Sequence, residues 1–142
     1  MSELLGLFTR AAKLLRGAAD EAMSKHGVRV GQNILLEALW ETDGLTPGEL
    51  AAQLHLSTPT VVNTATRMAS AGLLVRQRDE QDARLVRLYL TDRAREARWA
   101  VKQARDDLES QVTARLTSAE REHLRSALVK IIDEFGDTPV GD

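Results

Sequence analysis

The side chains best suited to chemistry fall between residues 57 and 84. Thr58, Thr60, Asn63, Thr64 and Arg67 occupy the outward positions of a predicted helix whose inward positions are Val61, Ala65 and Met68. An asparagine amide can bond adenine bidentately, threonine offers a hydroxyl and a methyl, and arginine suits guanine or phosphate. An ordinary solvated helix face accounts for the same residues. Further on, Asp82 and Arg84 stand two apart in the charged stretch Arg78-Asp79-Glu80-Gln81-Asp82-Ala83-Arg84. On a turn they can pair, stiffen the loop and aim the guanidinium outward, a shape that fits a narrow, electronegative minor groove. A solubilising loop with an exposed ion pair, worth little energetically, is the alternative.

Other chemistries find no foothold. The chain has no cysteine, which removes disulfides, zinc–thiolate sites and thiol redox sensing. His26, His55 and His123 lie on different predicted elements without ligand spacing, so neither a metal nor another cofactor is expected. Asp106, Asp107 and Glu109 form an acidic patch on a helix surface. Neither a glycine-rich phosphate loop nor a nucleophile–base pair is present, which argues against an enzyme.

The elements that must position these groups can be read from periodicity and caps. A first helix over about 4–25 places Leu4, Leu7, Phe8, Ala11, Leu14, Leu15, Ala18 and Met23 on one face, and His26-Gly27 reads as its stop. A second over about 30–42 turns Ile34, Leu35, Ala38 and Leu39 inward and ends at Asp43-Gly44. Thr46-Pro47-Gly48-Glu49 opens a short third helix with a capping box and proline in its first turn. Ser57 or Thr58 starts the fourth, again with a proline, Pro59, and Gly72 stops it. Residues 73–76 and 85–90 read as two strands around the charged turn, with Val86, Leu88 and Leu90 on the apolar face. Thr91 caps a long helix to about Leu116, whose seam is Ala94, Ala97, Val101, Ala104, Leu108 and Val112. A second capping box, Thr117 to Glu120, opens a final helix with Leu124, Leu128, Ile131, Ile132 and Phe135.

A chain of 142 residues, 43% hydrophobic and 28% charged, is the size of one soluble domain. The net charge of −2 hides a gradient. Residues 46–95 carry seven arginines against five acids, whereas the flanking segments are both net acidic. Arginine is the base best matched to phosphate and guanine edges, and its excess falls on the segment holding the helix pair and the hairpin. Met1 to Phe8 includes Glu3 and lacks the layout of a secretory signal, and no apolar run is long enough to span a bilayer, so a cytoplasmic location is expected.

The run Leu73-Leu74-Val75-Arg76, through Asp82-Ala83-Arg84, to Leu88-Tyr89-Leu90-Thr91 resembles the wing signature of MarR-type regulators, and Leu56-Ser57-Thr58-Pro59-Thr60-Val61-Val62-Asn63 resembles the recognition-helix start of the SlyA branch. The resemblance runs from about Leu4 to Phe135. It implies a mainly α fold with a small β-hairpin wing: a single domain over 1–142, with a winged helix-turn-helix at about 46–91 and dimerisation helices at about 1–26 and 92–136. It also implies a homodimeric transcriptional regulator, a repressor, on a pseudo-palindromic double-stranded operator. Thr60 and Asn63 align with groove-reading positions, Arg84 with the minor-groove arginine and Asp82 with its support. Ser57, Thr58, Pro59, Thr64, Arg67 and Arg76 complete the implied DNA-binding set. Asn63 departs from the arginine or longer polar residue of many relatives, which bears on the target sequence.

The family places an effector pocket between the dimer helices and the winged domain. Trp40 and Trp99 are then candidate walls for a small aromatic or lipophilic molecule, with Arg16 and His26 facing a carboxylate. A winged-helix module that binds protein is the competing function, although polar Thr60, Asn63 and Arg67 give it no apolar patch. A carrier or enzyme built on the dimer core has no supporting constellation.

Overall fold

The computed structural model describes residues 2–136. Helix α1, Glu3–Ser24, is capped by the Ser2 hydroxyl, which accepts from the Leu5 amide. Gly27 turns the chain at a φ of 77°. The Asp20 carboxylate then locks the turn by accepting from the Arg29 guanidinium at 3.0 and 2.8 Å and from the Val30 amide at 2.9 Å. Helix α2, Gln32–Glu41, follows. Helix α3, Pro47–Leu54, has the expected capping box, with the Thr46 hydroxyl accepting from the Glu49 amide and the Glu49 carboxylate from the Thr46 amide. Helix α4, Thr58–Ser70, is capped by Ser57 and stops at Gly72, whose φ is 76°.

The antiparallel hairpin is β1, Leu74–Arg78, and β2, Val86–Leu90, with Leu74 opposite Leu90 and Arg78 opposite Val86. Leu45 adds a bridge to Leu88, tying the α2–α3 connection to the sheet. Helices α5, Asp92–Glu96, α6, Arg98–Thr113, and α7, Ser118–Phe135, complete the described chain, and α1 packs against α6.

One core joins these parts. Met23 and Val28 from the α1 end meet Leu35, Leu36 and Leu39 of α2, Leu50 of α3, Val61, Ala65 and Met68 of α4, the hairpin base Leu74, Leu88 and Leu90, and Ala94 and Val101 beyond it. Each is almost wholly removed from water, a stabilisation of roughly 1.5–3 kcal/mol per large side chain.

The structure corrects the sequence reading in several places. The strand expected at 73–76 is β1 at Leu74–Arg78, and β2 begins after Leu85. Ile34, expected inward, is exposed, and Leu36 fills the core instead. Val86 is likewise exposed, since the core ends at Leu88. The long helix expected after Thr91 is broken at Ala97. Beside the break, the Trp40 indole N–H donates to the Ala94 carbonyl at 3.0 Å, the oxygen that a continuous helix would offer to Arg98. Of the apolar face of α1 only Met23 is buried, and no residue of α7 is. Leu4, Phe8, Leu14, Ile132 and Phe135 are all exposed in the single chain.

Candidate nucleic-acid interface

Burial of Val61, Ala65 and Met68 fixes which face of α4 looks outward. At 3.6 residues per turn the side opposite that core carries Pro59, Asn63, Thr66 and Ser70, all exposed, with exposed Thr60 and Arg67 along one flank. Thr58 is exposed near the start, whereas Thr64 is half-buried at the rim. The Ser57 hydroxyl accepts from the Thr60 amide at 3.2 Å and shares a 2.7 Å hydrogen bond with the Thr60 hydroxyl, so both are oriented before any ligand arrives. Asn63 has no side-chain hydrogen bond among the described residues, leaving its amide free to read a partner. Thr66 was missed in the sequence, although its place three residues after Asn63 puts it on the same strip. Its hydroxyl donates to the Val62 carbonyl and accepts from the Arg76 guanidinium, so Arg76 reaches back from β1 onto α4.

At the wing tip the Asp82 carboxylate accepts from the Arg84 Nε at 3.0 Å, Nη2 at 3.1 Å and amide at 3.1 Å. The guanidinium is thereby oriented, yet 90% of the Arg84 side chain remains exposed. Its side-chain bond to Arg84, then the amide bond, lower the Asp82 carboxyl from its ordinary pKa, and the same pairing raises Arg84. Asp79, unremarked in the sequence, accepts from the Gln81 and Asp82 amides through Oδ2 and from Arg87 Nε through Oδ1 at 2.6 Å. The Arg87 bond is the main cause of its lowered pKa, and the Asp82 amide bond comes next. Arg78 spans the turn by donating to the Ala83 carbonyl at 3.1 Å.

The four candidate effector residues do not converge. His26 and Trp99 line one groove of about 540 Å³ between α1 and α6. Trp40 lines a different one, of about 360 Å³, beside Arg98 and Lys102. Arg16 lines a third cavity of about 1150 Å³, bounded by α1, the start of α2 and the Thr60–Thr64–Arg67 flank of α4. This last cavity is strongly basic: Lys13, Arg16, Arg29, Arg67 and Arg105 face it, against Asp20 alone. Arg29 pairs with Asp20 and Arg105 with Glu37, which leaves Lys13, Arg16 and Arg67 without an ion pair among the described residues. Among those residues no group of three His, Cys, Asp or Glu could hold a metal, and no helix is long and apolar enough to cross a membrane.

A short helix pair, a polar outward face on its second member and an arginine-tipped hairpin straight after it define the winged helix-turn-helix class. The MarR family model matches residues 31–86, from α2 into β2. Over 132 residues the chain is 27% identical to the HTH-type transcriptional regulator MgrA of Staphylococcus aureus, covering 93% of this chain and 88% of that protein. Its fold is similar to that of S. aureus MepR in a DNA complex (TM-score 0.83, 24% identity, 94% and 98% covered). It is also similar to an organohalide-sensing regulator in its 2,4-dichlorophenol-bound form (TM-score 0.86, 20% identity, 92% and 78% covered). Over residues 31–86 the chain is thus similar to the MarR family, and its overall fold is similar to that of regulators of that kind.

Proposed function

We propose that the protein is a cytoplasmic, homodimeric repressor that sets α4 in the major groove and the wing in the adjoining minor groove of each half-site. The observation that carries this reading is the wing tip, where Arg84 is oriented by three hydrogen bonds to Asp82 and still 90% exposed. Asn63, with Ser57, Thr58, Pro59, Thr60, Thr64 and Arg67 around it, reads or frames base edges, and Arg76 supports the same face from β1. The MepR complex supplies a precedent for DNA binding on this fold.

The exposed apolar faces of α1 and α7 support the dimer. A soluble chain rarely leaves Leu4, Phe8, Leu128, Ile132 and Phe135 open to water, and a second copy can cover them. Two modules then meet two half-sites about one helical turn apart. The basic cavity at Arg16 supports release by a small molecule. An aromatic acid there would place its carboxylate among Lys13, Arg16 and Arg67 and bear directly on α4. The His26–Trp99 groove is the second place for such a molecule.

The test is a footprint of the intact protein on the DNA upstream of its own coding sequence. Two protected half-sites about 10 base pairs apart, lost on a scrambled duplex, are expected. Binding that ignores sequence would sink the operator reading.

A further inference from the structure

We propose that Arg87 is a positioning residue for the wing, holding Asp79 and the α2–α3 connection together so that Arg84 stands at a fixed place relative to α4. The inference rests on the reading of Arg84 as a groove contact.

Arg87 lies on β2 and reaches in two directions. Its Nε donates to Asp79 Oδ1 at 2.6 Å, at the foot of the wing turn. Its Nη1 donates to the Gly44 carbonyl at 2.9 Å and lies 3.9 Å from Glu49 in the first turn of α3. Asp79 in turn receives the amides of Gln81 at 3.0 Å and Asp82 at 2.8 Å through its other oxygen. A continuous polar path therefore runs from α3 through Arg87, Asp79 and Asp82 to Arg84.

Apolar packing cannot do this work at that end of the hairpin, because Leu85 and Val86 are exposed there and the core stops at Leu88. Exposure also separates the brace from the tip: the side chains of Arg87 and Asp79 are 29% and 18% exposed, against 90% for Arg84. Arg87 is engaged by a carboxylate and a carbonyl, so it is poorly placed to serve as a free phosphate ligand. A planar guanidinium can bond in two directions at once where a lysine amine cannot match the geometry.

The experiment is a double-mutant cycle on full-length protein: wild type, Arg84→Ala, Arg87→Met and the double variant. Each is titrated by fluorescence anisotropy against a duplex selected from a random pool by the wild-type protein. Arg87→Met should weaken binding about tenfold with Arg84 present and less than about twofold in its absence, because coupled residues are not additive. Arg87→Lys should fall between wild type and Arg87→Met. Hydrogen exchange should quicken at the Gln81 and Asp82 amides of Arg87→Met and stay unchanged along α4, which a general loss of stability would not produce. Should Arg87→Met fail to fold, Asp79→Asn takes its place in the same cycle.

Equal losses in both backgrounds would overturn the proposal, since Arg87 would then act on DNA or the fold independently of Arg84. Wild-type affinity in Arg87→Met beside a weakened Arg84→Ala would overturn the brace and leave the wing reading standing. Wild-type affinity in Arg84→Ala itself would overturn both.

Discussion

In the proposed complex, replacing Arg84 by alanine removes one cation from each wing and leaves Asp82 beside the DNA without its partner. The local charge at each tip goes from neutral to −1, because the bidentate pair at 3.0 and 3.1 Å is broken. Each cation lost from the phosphate field lowers the log–log salt slope by about 0.9, so a dimer with two wings should lose about 1.8 units. Asn63→Ala removes only a neutral amide on the exposed strip of α4. That should cost about 1–3 kcal/mol per half-site on the selected duplex and leave the slope where it was.

The assay is a salt titration of wild type, Arg84→Ala and Asn63→Ala on that duplex and on a scrambled one. Arg84→Ala should weaken binding to both, since groove width and phosphate field matter more to it than base identity. Asn63→Ala should weaken only the first. If Arg84→Ala keeps the wild-type slope and affinity, the hairpin is a solvated loop and the wing argument is wrong. An equal loss for Asn63→Ala on both duplexes would make Asn63 a backbone contact, and specificity would pass to Thr60 or Arg67.

Three further outcomes follow from the same geometry. Gly44→Ala forces a φ of 77° on an L residue and places its Cβ 2.7 Å from the Tyr89 ring, so thermal unfolding should show a loss of about 2–4 kcal/mol, and an unchanged melting curve would refute that strain. Asp79 and Asp82 have lowered pKa values, so the order they give the wing is complete above the ordinary aspartate pKa of about 3.9 and is lost as pH falls through their lower folded values. Amide signals of Gln81 and Asp82 should therefore hold steady from about pH 8 to 5, and a transition inside that range would contradict the assignment. Ile132→Glu should shift sedimentation from twice the chain mass towards one, or precipitate the protein, because α7 buries nothing within its own chain; an intact dimer would place the interface elsewhere.

What was legible in the sequence, and what was not, follows from the range of the forces involved. Caps are local: Thr46 with Glu49, Ser57, Gly72 and the Thr117–Glu120 box each act within a few residues, and each stands where the pattern put it. The Asp82–Arg84 pair is local in the same sense. Contacts across the chain had no such signal. The indole of Trp40 reaches Ala94 over 54 residues and Arg87 reaches Gly44 over 43, so neither the break at Ala97 nor the brace could be read from spacing. The separation of Arg16, Trp40 and the His26–Trp99 pair into three cavities is of the same kind. Thr66 was hidden for another reason: threonine on a helix surface has no distinctive pattern until Arg76 is seen upon it.

The two parts proposed to face DNA are fastened by different forces, and this shapes how each can be regulated. Helix α4 is seated by Val61, Ala65 and Met68, an apolar contact that salt and pH hardly touch. Its other flank borders the basic cavity, so a bound anion would act on α4 through Arg67 and the packing around Thr64. Beyond its backbone hydrogen bonds, the outer half of the wing is held by the side chains of Arg78, Asp79, Asp82, Arg84 and Arg87, all charged and partly open to solvent. Such contacts are screened as ionic strength rises. The salt dependence of operator binding therefore contains a second contribution beyond counterion release, the loosening of the wing itself. Asp79→Asn separates the two. It leaves every DNA-facing cation in place, so pure counterion release predicts an unchanged slope. Loss of wing order instead predicts weaker binding at low salt and a shallower fall as salt is added, because the variant has less wing order left to lose.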